Sequence, residues 1–171
     1  MQIDDLRYRE VQEVNSSNDI TVRPVVEGDR ADWNSLYHAY RDFYKLAYDE
    51  DVVSRVWGWV STGANGIHGL VAVDAAGKLT GLADLRVFAR PSSGSIGVYL
   101  DDLFTSPDHR GRGIGTALLQ EARRYAGSID ATVVRWITSE DNKTARSVYD
   151  ANATLTKWVT YDMVPEQPQG E

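Results

Sequence analysis

The chain has 171 residues, 42% hydrophobic and 25% charged, with a formal charge of −7 and no cysteine. That length suits one domain of about 100–200 residues with its own core, and no apolar run reaches the roughly 18 residues of a membrane span. The missing cysteines exclude disulfides, thiolate metal sites and a thiol nucleophile, and the acidic balance argues against a basic nucleic-acid face. It suits a cationic small substrate, and equally a protein kept soluble by its charge. The N-terminus has no basic start followed by an apolar stretch, so no secretory signal and a cytoplasmic location are expected.

Residues 1–18 are rich in charge and end in Asn15-Ser16-Ser17-Asn18, which predicts a flexible tail. The folded domain is expected over 19–164 and a second flexible tail over 165–171. A strand is predicted at Ile20–Pro24, then a helix opened near Glu27 or Asp29. Trp33, Leu36, Tyr37, Tyr40, Phe43 and Tyr44 recur along that helix at spacings of three and four and form one apolar stripe. A second helix is predicted over Glu50–Val60, with Val52, Val53, Val56 and Trp59 or Val60 inward. Strands follow at Ile67–Asp74 and Lys78–Ala89, joined by a turn at Ala75-Ala76-Gly77. Gly97–Thr105 reads as a buried strand. A helix over Gly113–Ala126 turns Ile114, Leu118, Ala122 and Tyr125 to one face. A strand at Ala131–Thr138, a helix at Asn142–Asn152 and a last strand at Leu155–Met163 complete the chain. This order predicts an α/β (α+β) fold with one mixed sheet and helices on both faces.

Chemistry concentrates first at Arg110-Gly111-Arg112-Gly113-Ile114-Gly115, between a strand and a helix. Glycines let the backbone turn tightly, and the free amides of a helix start favour an anion. The loop is thus a candidate phosphate or pyrophosphate site, or else a tight turn with solubilising arginines. The dinucleotide fingerprint fails in both registers, at Thr116 and at Leu118, and no Gly-Lys-Ser/Thr P-loop is present. Downstream, Asn142 stands at a helix start, with Ala145 and Tyr149 on one face. Periodicity alone fits a capped helix with a core tyrosine.

With these residues the chain resembles the GNAT acetyltransferase superfamily over about residues 20–163. Arg110, Gly113 and Gly115 fill that family's Arg/Gln-x-x-Gly-x-Gly/Ala signature, and Asn142, Ala145 and Tyr149 fill its Asn-x-x-Ala-x-x-x-Tyr pattern. The Tyr-x-x-Phe-Tyr and Trp-x-Thr-x-x-Asn-x-x-Ala-Arg-x-x-Tyr-Asp segments resemble a subgroup close to the yeast-type histone and polyamine acetyltransferases. The resemblance implies a single mixed, mostly antiparallel sheet, the GNAT acyl-CoA N-acyltransferase fold. It implies acetyl-CoA as co-substrate, with its pyrophosphate on Arg110, Gly111, Arg112, Gly113, Ile114, Gly115 and Thr116. The pantetheine arm would lie along Leu103, Phe104 and Thr105 like an added strand. Asn142, Ala145 and Arg146 are implied as further coenzyme contacts, and Tyr149 as proton donor to the leaving thiolate.

Asp101 and Asp102 interrupt an apolar strand, where acids are costly. In a regular strand they point to opposite faces, and one of them is a candidate general base. The alternatives are a bulge or pairing with Arg110 or Arg112. His38, His68 and His109 give no metal-ligand spacing, so no metal is expected. The expected activity is direct transfer of acetyl from acetyl-CoA to a small amine or polyamine. A protein N-terminus or lysine as acceptor, and a non-catalytic CoA sensor, remain as alternatives. The resemblance implies a homodimer, and neither nucleic acid nor membrane is an expected partner.

Overall fold

A computed structural model describes Val14–Asn15 and residues 20–166. The tail expectations for 1–13, 16–18 and 167–171 lie outside the described residues. Six strands form one sheet: β1 (Val14–Asn15), β2 (Thr21–Pro24), β3 (Ile67–Val73), β4 (Leu79–Arg90), β5 (Ser95–Thr105) and β6 (Val134–Arg135). They lie in chain order, antiparallel from β1 to β5, with β6 parallel to β5. The helices are α1 (Arg30–Phe43), α2 (Glu50–Thr62), α3 (Ile114–Ser128) and α4 (Lys143–Asn152). The sheet is mixed with helices on both faces, as the element order predicts, and mostly antiparallel, as the resemblance implies.

The two faces carry separate cores. On one, α3 buries Ile114, Leu118, Ala122 and Tyr125 against Leu70, Ala83, Leu85 and Val98. The predicted stripe of α3 is therefore its buried stripe. On the other, Trp33, Leu36 and Tyr37 of α1 and Val53, Trp57 and Val60 of α2 pack on Val71, Leu82 and Phe104. The inward face of α2 thus runs through Trp57, which the sequence reading missed, and Val52 and Val56 are only half-buried. Glycines bring both helix layers close to the sheet. A Cβ at Gly69 would sit 2.8 Å from Val60 Cβ, and one at Gly81 would sit 2.9 Å from Ile114 Cγ2. The start of α1 is tied to β2 by Asp29, whose carboxylate accepts from Arg23 at 2.7 and 2.8 Å and from the Val26 amide at 2.8 Å.

Two expectations change. The strand predicted over Ala131–Thr138 shrinks to Val134–Arg135, which pair with Val98 and Tyr99, while Thr132 and Val133 keep single backbone bonds to Ile96 and Val98. The strand predicted over Leu155–Met163 does not form. Its alternating apolar pattern is real, but no neighbour among the described residues pairs with it, and Leu155, Trp158, Val159, Tyr161 and Met163 are exposed. Among the described residues no helix is long and apolar enough to cross a membrane.

Leu118 lies 0% exposed at the centre of the α3 core. Leu118→Ala is expected to lower unfolding free energy by about 2–5 kcal/mol, read by urea denaturation. A loss below about 1 kcal/mol would contradict this packing.

Candidate active site

The site begins with one extra residue. β4 and β5 pair Asp84 with Asp102 and Leu85 with Leu100, so Asp101 is a β-bulge. A regular strand would send Asp101 and Asp102 to opposite faces. The bulge removes that alternation, and both carboxylates engage groups on the α1 side of the sheet. Asp101 accepts from Arg86 Nε at 3.0 Å and Nη2 at 2.9 Å. Its partner is therefore Arg86, rather than Arg110 or Arg112. Asp102 accepts from the Tyr40 hydroxyl of α1. Burial pushes the Asp102 carboxyl above its ordinary value; the hydrogen bond from Tyr40 counters this, and the Asp101 charge adds to it.

A bulge also bends its strand. The pairing of β5 with β6 stops at Tyr99 and Arg135, while β5 runs on to Thr105. The edge of β5 past Tyr99 has no strand beside it among the described residues. A cleft of about 320 Å³ opens there, walled by the end of β5, the start of α3, the face of α4 and the last turn of α1. Leu103, Phe104, Thr105, Arg110, Gly111, Gly113, Ile114, Gly115, Thr116, Asn142, Ala145 and Tyr149 all border it. Of the sequence-predicted site residues, Arg112, Arg146, Asp101 and Asp102 lie outside that lining. Arg146 instead donates to the Glu140 carbonyl at 3.1 Å.

The glycine loop forms one wall. Gly111 and Gly113 have φ of 74° and 80°, which favours glycine. Gly113 is the N-cap of α3, and it has no side chain to cap that helix. The first-turn amides of α3 lack intrahelical acceptors, as in any helix, and Ile114, Gly115 and Thr116 present them beside the cleft. The Arg110 guanidinium lies 5.5 Å from the centre of the Phe43 ring, which keeps a cation at the mouth.

α4 forms the facing wall. Asn142 Oδ1 accepts from the Ala145 amide at 3.3 Å, so Asn142 does cap the helix, while also bordering the cleft. Tyr149 packs edge-on against Trp136 at 5.2 Å between ring centres. Burial, with the Tyr44 charge second, pushes its hydroxyl up to about 12. That hydroxyl therefore keeps its proton at neutral pH. Phe43, Tyr44, Thr144 and Val148 complete the lining. The first two end the aromatic stripe of α1. The other two flank Ala145 and Tyr149 on α4, a helical spacing that could have found them. Among the described residues, no group of three His, Cys, Asp or Glu could hold a metal ion.

Comparison with known proteins bears on this arrangement. A model of the acetyltransferase (GNAT) family matches residues 33–152. An uncharacterized N-acetyltransferase of Methanocaldococcus jannaschii is 30% identical over 132 residues, covering 75% of this chain and 58% of that protein. The chain thus spans little more than half of that relative's length. The D-amino-acid N-acetyltransferase HPA3 of Saccharomyces cerevisiae is 24% identical over 143 residues, covering 83% and 89% of the two chains. The structure of AAC(6')-Iy in complex with a CoA-S-monomethyl-acetylneamine bisubstrate analog superposes with a TM-score of 0.73 at 19% identity, covering 85% and 98%.

The left-handed conformation of Gly113 yields a direct check. Gly113→Ala has open space for its Cβ, so its cost is conformational, about 1–2 kcal/mol. Urea denaturation should show that loss. Unchanged stability would mean the turn has another conformation.

Proposed function

The chain belongs to the GNAT acetyltransferase family, and from that premise we propose that it transfers acetyl from acetyl-CoA to the primary amine of a small molecule or polyamine. The observation that carries this reading is a single cleft bordered by an uncapped helix start, an open strand edge and the Tyr149 hydroxyl.

The residues present fit acetyl-CoA. Unsatisfied amides at the start of α3, with Arg110 beside them, suit a pyrophosphate. The edge of β5 at Leu103–Thr105 suits the amide-bearing pantetheine arm. Bound acetyl-CoA supplies a thioester as the acyl source. Asp102 Oδ takes a proton from the incoming ammonium and leaves the amine free to attack. Tyr149 Oη gives its proton to the departing sulfur, and the surplus proton of the new amide nitrogen replaces it. The chain has no cysteine to carry the acetyl group, which favours direct transfer.

Several features support a small cationic acceptor. Tyr40 and Tyr44 stand at the same end of α1 as the Asp102 carboxylate, and aromatic faces beside a carboxylate suit an ammonium ion. The formal charge of −7 favours its approach. The yeast D-amino-acid N-acetyltransferase and the protein bound to a CoA–acetylneamine analog have names that fit the same class of acceptor. An acetylation screen over polyamines, amino sugars, amino acids and peptides, read by thiol release, tests the assignment. Turnover with peptides alone would overturn it.

Tyr149→Phe is expected to lower kcat by about 10²-fold or more, with acetyl-CoA affinity within about twofold of the parent. Equal turnover would remove Tyr149 from the proton-donor role. The base must be ionised to act, so kcat/KM should rise with pH through the Asp102 pKa. That rise should lie above the ordinary aspartate value of about 4, because Asp102 is shifted upward. Asp102→Asn should abolish this limb, and Asp101→Asn should leave it in place. A limb lost with Asp101 instead would reassign the base.

A further inference from the structure

Asp84 is buried to 2% exposure in the middle of β4, and the chemistry above gives it no task. Alternation along β4 puts it on the α1 side with Leu82. Its strand neighbours are Gly69 on β3 and Asp102 on β5. Gly69 offers no side chain, and α2 presents the apolar Val60 there. From α1, Tyr37 and Tyr40 approach, and the Tyr40 hydroxyl is committed to Asp102. Arg86, the next residue of β4 on that face, is committed to Asp101. Neither Asp84 oxygen accepts a hydrogen bond from any described donor. Two carboxylates hold only acceptors between them. Asp84 and Asp102 can bond to each other only if one carries a proton.

We propose that Asp84 is a neutral carboxylic acid that donates its O–H to Asp102 and so holds the Asp102 carboxylate ionised and oriented. The more deeply buried partner keeps the proton, because an unpaired charge is costlier there. Asp102 then receives two hydroxyl donors, from Tyr40 and from Asp84. Burial and the neighbouring charges act on Asp84 in the same direction: burial first, then the Asp102 charge, then the Asp101 charge. The other titratable neighbours of Asp102 are Tyr37 and Tyr44, both of which its charge pushes up. When Asp102 takes the ammonium proton, the N–H bond breaks and an O–H bond forms on Asp102. The Asp84 proton stays where it is throughout. Asp84 is thus a positioning residue, and this role rests on the proposal that Asp102 is the base.

The test separates the two. Infrared spectra of the protein without substrates, at neutral pH, should show the carbonyl stretch of a neutral carboxyl. That band should vanish in Asp84→Asn and persist in Asp102→Asn. A spectrum without it, or a band lost with Asp102 alone, overturns the proposal whatever the kinetics. Activity then gives a signed readout. Asp84→Asn keeps an N–H donor, so the acid limb of kcat/KM should stay within about half a pH unit of the parent. Asp84→Leu removes the donor, so the limb should move to higher pH by about one unit. If Asp84 were ionised, both variants would relieve repulsion and move the limb to lower pH, which would overturn the proposal. The Asn variant and the infrared band decide the matter even if the Leu variant fails to fold.

Discussion

One inserted residue in β5 governs the functional half of this molecule. Without the bulge at Asp101, β5 would continue in register with β4, and its two adjacent aspartates would face opposite sides of the sheet. With it, Asp102 turns toward α1 and finds Tyr40, while Asp101 reaches Arg86 on the same side. The bend that accompanies a bulge also fits the early end of β5–β6 pairing at Tyr99. The extra residue thus sits between the buried acid pair and the strand edge that opens past Tyr99. Bulges beside functional sites commonly re-aim a side chain and end pairing, and both effects occur here.

The two walls of the cleft divide the electrostatic work. The α3 side is a place for negative charge: helix amides without acceptors, positive-φ glycines and Arg110. The α1 side ends in Phe43 and Tyr44 at the cleft, and behind it, outside the lining, the acids Asp84 and Asp102 lie near Tyr37 and Tyr40. Tyr44 links them, since it borders the cleft and feels the Asp102 charge, and its own charge would act on Tyr149. The fold supports this division by packing α3 on one face of the sheet and α1 with α2 on the other.

Much of this was legible in the residues, for identifiable reasons. The stripe of α3 repeats with helical period, and its burial requires only a sheet to lie on. The glycine loop and the Asn142–Tyr149 spacing are local, so a single sequence displays them. The bulge is different. Nothing local distinguishes Asp101 as the extra residue, because register depends on β4, about seventeen positions upstream. Asp84 was invisible for the same reason: one acid in an apolar strand has meaning only once Asp102 lies beside it. The segment from Leu155 to Met163 misled in the opposite way. Its alternation is that of a strand, but a strand needs a partner, and none is present among the described residues.

The central claim is that an uncapped helix start and an open strand edge form one acetyl-CoA site. Amide hydrogen exchange with and without acetyl-CoA reads both backbone segments at once. The account predicts slowed exchange at Leu103–Thr105 and at Gly111–Thr116, with the buried strand β3 unchanged. Slowed exchange confined to other segments, or no change at saturating acetyl-CoA, would contradict it.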